Sequence, residues 1–441
     1  MYRILITFFI VFLVSSCGNL RQDIEEIFDK SNSLDEIDLS SSITVRTLSA
    51  DTKKWDDVVT NSAEILAAEI AITDAKRDAE IIATAKSLQV NSTIQAGSMS
   101  IADQKNGLLG TLNIDQLISD FGQTDAKILQ ANVNVELAEL NYLKTIDDEL
   151  LEAALALDAW ESSYDLMNLT YSKQVLAEPL IDNLRRLASA GQIDAIQLAN
   201  AEKSLSQLEL TRVRAGEAVR KAETTLKKFF TTTPDNLDID LQDLAKFAEK
   251  LKKLKLSDSV PYRVAAKQKS LTELNLLAHK VSKRGSIVAR SKVDVPAADN
   301  MESDASVGFV YSINLRDGER HETITSQLET KLRQAESDLL AVTVDLRTRH
   351  SDLQTKKEFL QSANNLRVGL IRNVEGQISQ LEDQLAIGST SFNDLLGSHI
   401  ELYQLQREVI EANSELARTN LELVALNGDL VKFLKVKLTV E

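Results

Sequence analysis

Ile118-Ser119-Asp120-Phe121-Gly122 opens a stretch that runs without a strong break to Ala190-Gly191-Gln192-Ile193-Asp194 and returns through Phe230. Its reading decides the fold because the stretch occurs twice. A second copy opens at Arg316-Asp317-Gly318, reaches Gly388 and returns through about Gly428. Gly122 and Gly191 lie 69 positions apart, and Gly318 and Gly388 lie 70 apart. The return arms carry the quantitative case. Leu198, Ala201, Leu205, Leu208, Arg212, Ala215, Val219, Ala222 and Leu226 are spaced alternately by 3 and 4, and adding 197 to each gives Leu395, Ser398, Leu402, Leu405, Val409, Ala412, Leu416, Thr419 and Leu423. A 3/4 spacing held in phase over four heptads predicts long helices packing at shallow angles, and a repeat of this length sets the architecture.

Composition agrees. Only 15 glycines and 4 prolines interrupt 441 residues, which favours long helices. From Gly122 to about Ala188 the helical period continues for about 67 residues, roughly 100 Å at 1.5 Å per residue, with a kink expected at Pro179. Gly191 is the expected left-handed cap of this helix and Asp194 the cap of the next. The net charge of −16 speaks against a nucleic-acid partner, which would need a basic face.

Residues 1–16 have signal-peptide form, with Arg3 before a short apolar run that is too short to span a membrane comfortably. Val14-Ser15-Ser16-Cys17 resembles a bacterial lipobox, so Cys17 is the expected lipidation site. Gly18 follows it, not the aspartate that tends to hold such lipoproteins at the inner membrane. Residues 17–55 are read as a lipid-anchored tether, polar and rich in Ser and Asp to about residue 50. The first repeat spans 56–230: a helical run from Asp56 to Leu88, strands at Gln89–Ser100 and Gly107–Ile118, the long helix, its tip and a return helix. Residues 231–259 form an equatorial linker with a short amphipathic helix at about Leu241–Leu254. The second repeat, 260–430, has the same order, and 431–441 is a tail. Its strands read most clearly. In Ser286–Val295 the apolar Ile287, Ala289, Val293 and Val295 alternate with Arg290, Lys292 and Asp294. In Ser306–Leu315 Val307, Phe309, Tyr311, Ile313 and Leu315 share one face. That pattern suits a half-buried soluble sheet or a membrane barrel. In lipid, four strands per chain could not leave open edges and would have to close with other copies.

The chain resembles the TolC family of outer-membrane efflux and secretion channels over roughly Asp56 to Leu430. Gln116-Leu117-Ile118-Ser119-Asp120-Phe121-Gly122 is similar to that family's strand-to-helix junction. Arg186-Leu187-Ala188-Ser189-Ala190-Gly191 and Leu385-Ala386-Ile387-Gly388 are similar to its helix reversals, and Phe392-Asn393-Asp394-Leu395-Leu396 to the segment after the second one. The resemblance implies a mainly α protein with a small β part: duplicated long-helix hairpins forming a trimeric periplasmic α-barrel, and four strands per chain in a shared twelve-stranded outer-membrane β-barrel. It implies a homotrimer in outer-membrane lipid, lipid-anchored in a Gram-negative outer membrane and reaching into the periplasm. The tips at Gly191, Gln192, Gly388 and Ser389 would dock on a periplasmic adaptor that leads to an inner-membrane transporter of ABC, RND or MFS type. The protein would be the passive conduit of a tripartite efflux or type I secretion system, with Val307, Phe309, Tyr311, Ile313 and Leu315 facing lipid. Asp394 matches one aspartate of the family's acidic pore constriction. The second acidic position is Gly397 here, and the first-repeat counterpart of Asp394 is Gln197. Asp394 also suits the first turn of a helix, where a carboxylate favours the N-terminus, and spacing does not choose between the two roles.

No enzyme signature stands against this. His279, His321, His350 and His399 have no metal-ligand spacing and read as solvated side chains, and no GxGxxG, P-loop or GxSxG run occurs. Neither a cofactor nor a metal is expected. The competing reading is a lipid-anchored periplasmic coiled-coil adaptor or structural protein whose strands form a soluble β domain; strand exposure separates the two.

Overall fold

A computed structural model describes residues 53–99, 105–230, 241–251, 253–297, 303–314, 317–387 and 389–436. Cys17, Gly388 and Leu315 lie outside these residues, as do the expected signal peptide and residues 17–52 of the tether. The elements in chain order are α1 (Lys53–Asn61), α2 (Ala63–Ala83), β1 (Gln89–Met99), β2 (Lys105–Ser119), α3 (Gln123–Ser189), α4 (Ala195–Phe229), α5 (Leu241–Lys250), α6 (Val260–Ser282), β3 (Ser286–Ala297), β4 (Asp304–Ser312), α7 (Arg320–Ala386), α8 (Phe392–Leu426) and α9 (Leu430–Leu434).

The duplication holds at the level of element boundaries. α3 and α7 each have 67 residues, and α4 and α8 each have 35. Gln123 and Arg320, Ser189 and Ala386, Ala195 and Phe392, Phe229 and Leu426 are all 197 apart, as are the starts of α2 and α6 and of β1 and β3. The heptad seam is the face that packs: Ala201, Leu208, Ala215, Val219, Ala222 and Leu226 are buried on α4, and Leu395, Ser398, Leu402, Ala412, Thr419 and Leu423 on α8.

Four details refine the sequence reading. The helical run from Asp56 to Leu88 is two helices. Ser62 separates them, its hydroxyl accepting from Ile65 N at 3.3 Å as an N-cap would, and the run ends in a 3-10 turn at Thr84–Lys86. α3 runs through Pro179 as a single helix. Ala177, Ile181 and Leu184, on either side of the proline, are all buried in one cluster with Ala201, Leu208, Leu396 and Tyr403; that packing outweighs the missing N–H. The one-residue mismatch between the copies has a local cause. Each strand-to-helix junction contains two consecutive left-handed residues, Phe121 (φ 57°) with Gly122 (φ 91°) and Gly318 (φ 65°) with Glu319 (φ 68°). Glycine occupies the second place in one copy and the first in the other. Finally, β4 ends at Ser312. Ser312 pairs with Ser286, the first residue of β3, so the sheet has no partner left for Ile313, which lies just beyond the strand.

The chain divides into two compact units. In the first, residues 67–143 and 260–343, the four strands form one antiparallel sheet in the order β1-β2-β3-β4. The pairing β1–β2 runs from Gln89↔Asp115 to Met99↔Lys105, and β2–β3 is regular from Leu108↔Ala297 to a bulge at Leu117/Ser119. Two helical stretches of this unit pack through Val133, Leu137 and Leu274, and buried Lys267 pairs with Glu136 at 2.8 Å. In the second unit, residues 45–66, 144–259 and 344–441, Val374, Ile378, Leu395 and Leu402 form a further core. Polar rungs cross it: Thr170 Oγ1 lies 3.2 Å from Tyr403 Oη, and Ser414 donates to Asp158 at 2.7 Å. Burial still lifts the Asp158 carboxyl to about 6.

Gly285 sets the geometry where the chain enters the sheet. Its φ is +78°, and an added Cβ would sit 2.2 Å from the Ser312 carbonyl oxygen. Left-handed strain and a backbone clash together make Gly285→Ala cost about 3 kcal/mol. Urea unfolding of the detergent-solubilised protein, followed by circular dichroism, should show this loss, while Gly308→Ala, where an added Cβ meets nothing within 4 Å, leaves the midpoint in place.

Candidate functional site

Strand register sorts the sheet into two unlike faces, because side chains alternate and cross-strand partners share a side. Val90, Ile114, Ser291 and Val307 form one row, and Ser92, Leu112, Val293 and Ala305 the next. Ile94 with Val295, and Phe309 and Tyr311 on β4, belong to the same face. This face is apolar, and much of it is uncovered: Val307 is 86% exposed, Phe309 77% and Ile94 76%. So large a continuous apolar patch marks a surface meant for something other than water.

The opposite face is polar over most of its length. Gln89, Asp115 and Arg290 form one row, Asn91, Asn113, Lys292 and Ser306 the next, and Thr93, Thr111, Asp294 and Asp304 the third. Arg290 grips Asp115 with two parallel hydrogen bonds, Nε to Oδ1 at 2.7 Å and a terminal nitrogen to Oδ2 at 3.1 Å. Lys292 pairs with Asp294 at 2.6 Å, and Thr111 donates to Asp294 at 2.7 Å. The alternation of Arg290, Lys292 and Asp294 was visible in sequence. The cross-strand partners of Arg290 and Asp294 were not, since Asp115 and Thr111 lie more than 170 positions away. Apolar residues join this face toward its ends: Leu117, Val288 and Val310 near the helix-bearing end, and Leu109 toward the loops.

The sheet has two open edges. Among the described residues β1 is bonded only to β2 and β4 only to β3, so each presents a row of backbone N–H and C=O groups with no strand partner there. Among the described residues, no helix is long and apolar enough to cross a membrane.

The junctions and reversals are built from local hydrogen bonds. Asp120 accepts from Thr124 N at 2.6 Å, and its counterpart 197 residues later, Asp317, accepts from His321 N at 2.9 Å. At the first reversal Gly191 has φ +71°. Gln192 N donates to Leu187 O at 2.9 Å and Gly191 N to Ala188 O at 3.0 Å, which is the Schellman arrangement. Ser389 N donates to Gln384 O at 2.9 Å in the second copy. Gln192 and Ser389 are exposed, and Ile196 and Ile387 beside them are 66% and 80% exposed.

Asp394 is the third residue of α8, in a capping box with Ser391. Ser391 Oγ donates to its Oδ2 at 2.6 Å, and Asp394 N donates back to Ser391 Oγ at 3.2 Å. Thr390 Oγ1 adds a donor at 3.3 Å. The Ser391 hydroxyl, then its backbone N–H, hold the Asp394 carboxyl below the usual range. The carboxylate remains exposed.

The histidines are not the solvated side chains expected from sequence. His350 is buried and donates to Leu251 O at 3.2 Å. His279 and His321 stack with ring centroids 4.2 Å apart. His399 is half-buried, its pKa lowered by desolvation and then by nearby Lys173. Among the described residues, no group of three or more His, Cys, Asp or Glu side chains is placed to hold a metal ion.

No family model and no curated protein matches the chain. Solved structures do. The chain is similar to the outer-membrane protein VceC from Vibrio cholerae, with a TM-score of 0.71 and 14% identity over 84% of this chain and 94% of that one. It is similar to the open state of the MtrE outer-membrane channel of Neisseria gonorrhoeae, with a TM-score of 0.72 and 12% identity over 88% and 91%. For the Campylobacter jejuni CmeC outer-membrane channel the TM-score is 0.70 and the identity 10%, over 86% of each chain. The fold is therefore that of the TolC-type channels, as the resemblance implied.

The capping box generates a pH-dependent expectation. A lowered carboxylate pKa contributes stability that is present above the unfolded value and lost as pH falls through the folded one. Ser391→Ala should cost about 1 kcal/mol at neutral pH, and the deficit should shrink in the acid range as Asp394 protonates in the parent protein. Urea midpoints between pH 3 and pH 8 check both the size and the sign.

Proposed function

We propose that this chain, with its TolC-type fold, is a passive outer-membrane conduit. Three copies close their sheets edge to edge into one barrel of twelve strands, and the helical tips dock on a periplasmic adaptor that leads to an inner-membrane transporter. Efflux and type I secretion both fit such a conduit. Cys17 carries the lipid, and a ring of three Asp394 carboxylates narrows the pore. In this reading the two repeats, 56–230 and 260–430, are the working body, and 231–259 is the equatorial linker between them.

The observation that carries the proposal is the sheet itself. One face is apolar and uncovered, the other is polar, and both edges are open. In water the apolar face would be a liability; in lipid it is the expected outer wall, with polar side chains turned toward the lumen. Each backbone group left unpaired in hydrocarbon costs several kcal/mol, so the edges must be satisfied by further strands. A soluble adaptor would have buried Val307, Phe309 and Tyr311 in its own core.

The test is a cysteine scan of β4 with Cys17 kept, its sulfur being occupied by the lipid in this reading, with a thiol-attached fluorophore and the protein reconstituted in vesicles. Positions 307, 309 and 311 should be quenched by nitroxide lipids, and positions 306 and 308 by aqueous iodide. Iodide quenching at all five positions would place β4 in water and remove the channel reading.

A further inference from the structure

Four charged side chains meet at mid-height of the polar face. Arg290 and Asp115 face one another across β3 and β2, and Lys292 and Asp294 follow on β3 with Thr111 alongside. All four are partly exposed, at 45%, 23%, 43% and 22%. They are paired within one chain, two positive against two negative, and need no second copy. Of the other described positions in the three rows that hold them, only Asp304 is charged, opposite Asp294 toward the loop end.

We propose that Arg290–Asp115, with Lys292–Asp294 beside it, is the charge-selectivity element of the sheet. It is a collar of two internally compensated ion pairs that leaves the three rows with one unbalanced carboxylate per chain, Asp304, so that the outer end of the conduit sorts solutes only weakly by charge. This deepens the conduit reading and rests on it, because the polar face must line the lumen. The chemistry is specific. A bidentate guanidinium–carboxylate pair is a fixed dipole with little net field beyond its immediate surroundings. Remove either partner and the other becomes a full charge in the lumen, repeated in every copy. The field of such a ring reaches about 30 Å at 0.01 M salt but only about 10 Å at 0.1 M. The intact pairs would therefore keep charge sorting weak at this end of the conduit, and breaking a pair would impose it. Cargo preference, where the conduit has one, would be imposed elsewhere along it.

The experiment is reversal-potential measurement in planar bilayers, across a potassium chloride gradient with its dilute side near 10 mM. Asp115→Asn frees Arg290 and should lower the potassium-to-chloride permeability ratio. Arg290→Gln frees Asp115, Lys292→Gln frees Asp294, and both should raise the ratio. Each shift should be about twofold or more at this ionic strength and should shrink in concentrated salt. The exchanged pair, Asp115→Arg with Arg290→Asp, keeps the pair compensated and should retain the parent ratio; it also covers the case in which a single variant fails to insert. Conducting single variants with the parent ratio, or shifts of the same sign for Asp115→Asn and Arg290→Gln, would overturn the collar while leaving the conduit intact. An electrically silent parent protein would overturn the conduit reading, and the collar with it.

Discussion

The constraint on which the rest depends is the hydrogen-bonding demand of two open strand edges beside an uncovered apolar face. The four-stranded sheet satisfies the inner sides of β1 and β4 and, among the described residues, leaves their outer sides bare. In water such edges are hydrated but prone to unwanted pairing. In hydrocarbon they cannot persist at all. In the proposed reading the side-chain pattern suits the second environment, because Ile94, Val307 and Phe309, which water would reject, are the most exposed large apolar side chains on the sheet. A sheet made this way is incomplete as a single chain, and the proposed assembly follows from that incompleteness.

The remaining architecture serves to deliver strands and reversals at fixed positions. Each copy leaves the sheet through two left-handed residues and an aspartate that accepts from the backbone four residues on, and each reversal ends in a carbonyl-satisfying turn followed by a side-chain cap. These devices are short-range, so they are set by a few residues and can be duplicated intact. The helices between them pack along their length, and α3 continues through Pro179 where Ala177, Ile181 and Leu184 are buried.

Much of the fold was legible in the sequence, for identifiable reasons. A heptad seam repeated at a fixed offset of 197 residues calls for two copies of the same long-helix hairpin, and it predicted the buried faces of α4 and α8. Gly191 and Asp194 were readable because turn and cap chemistry is local. Less was legible where the outcome depends on partners distant in sequence. The end of β4 is set by where β3 begins. The burial of His350 depends on the Leu251 carbonyl, and the grip on Arg290 on Asp115, 175 positions earlier. Asp394 lies between these cases. Its place in a helix's first turn followed from the preceding Gly388, but its engagement by Ser391 and Thr390 requires knowing which residue caps the helix. A pore role for its exposed carboxylate is compatible with that bond and is not produced by it.

The central claim is that β1 of one copy pairs with β4 of another. Within one chain these strands are separated by three inter-strand spacings, about 14 Å, well beyond the reach of a disulfide. Paired cysteines placed one on β1 (positions 90, 92 or 94) and one on β4 (positions 307, 309 or 311), with Cys17 kept and its sulfur occupied by the lipid, can therefore be oxidised only between copies. The account predicts that at least one combination yields covalent dimers and trimers in membranes, with nothing larger. A chain that stays monomeric for every combination, while its thiols remain reactive, would contradict it.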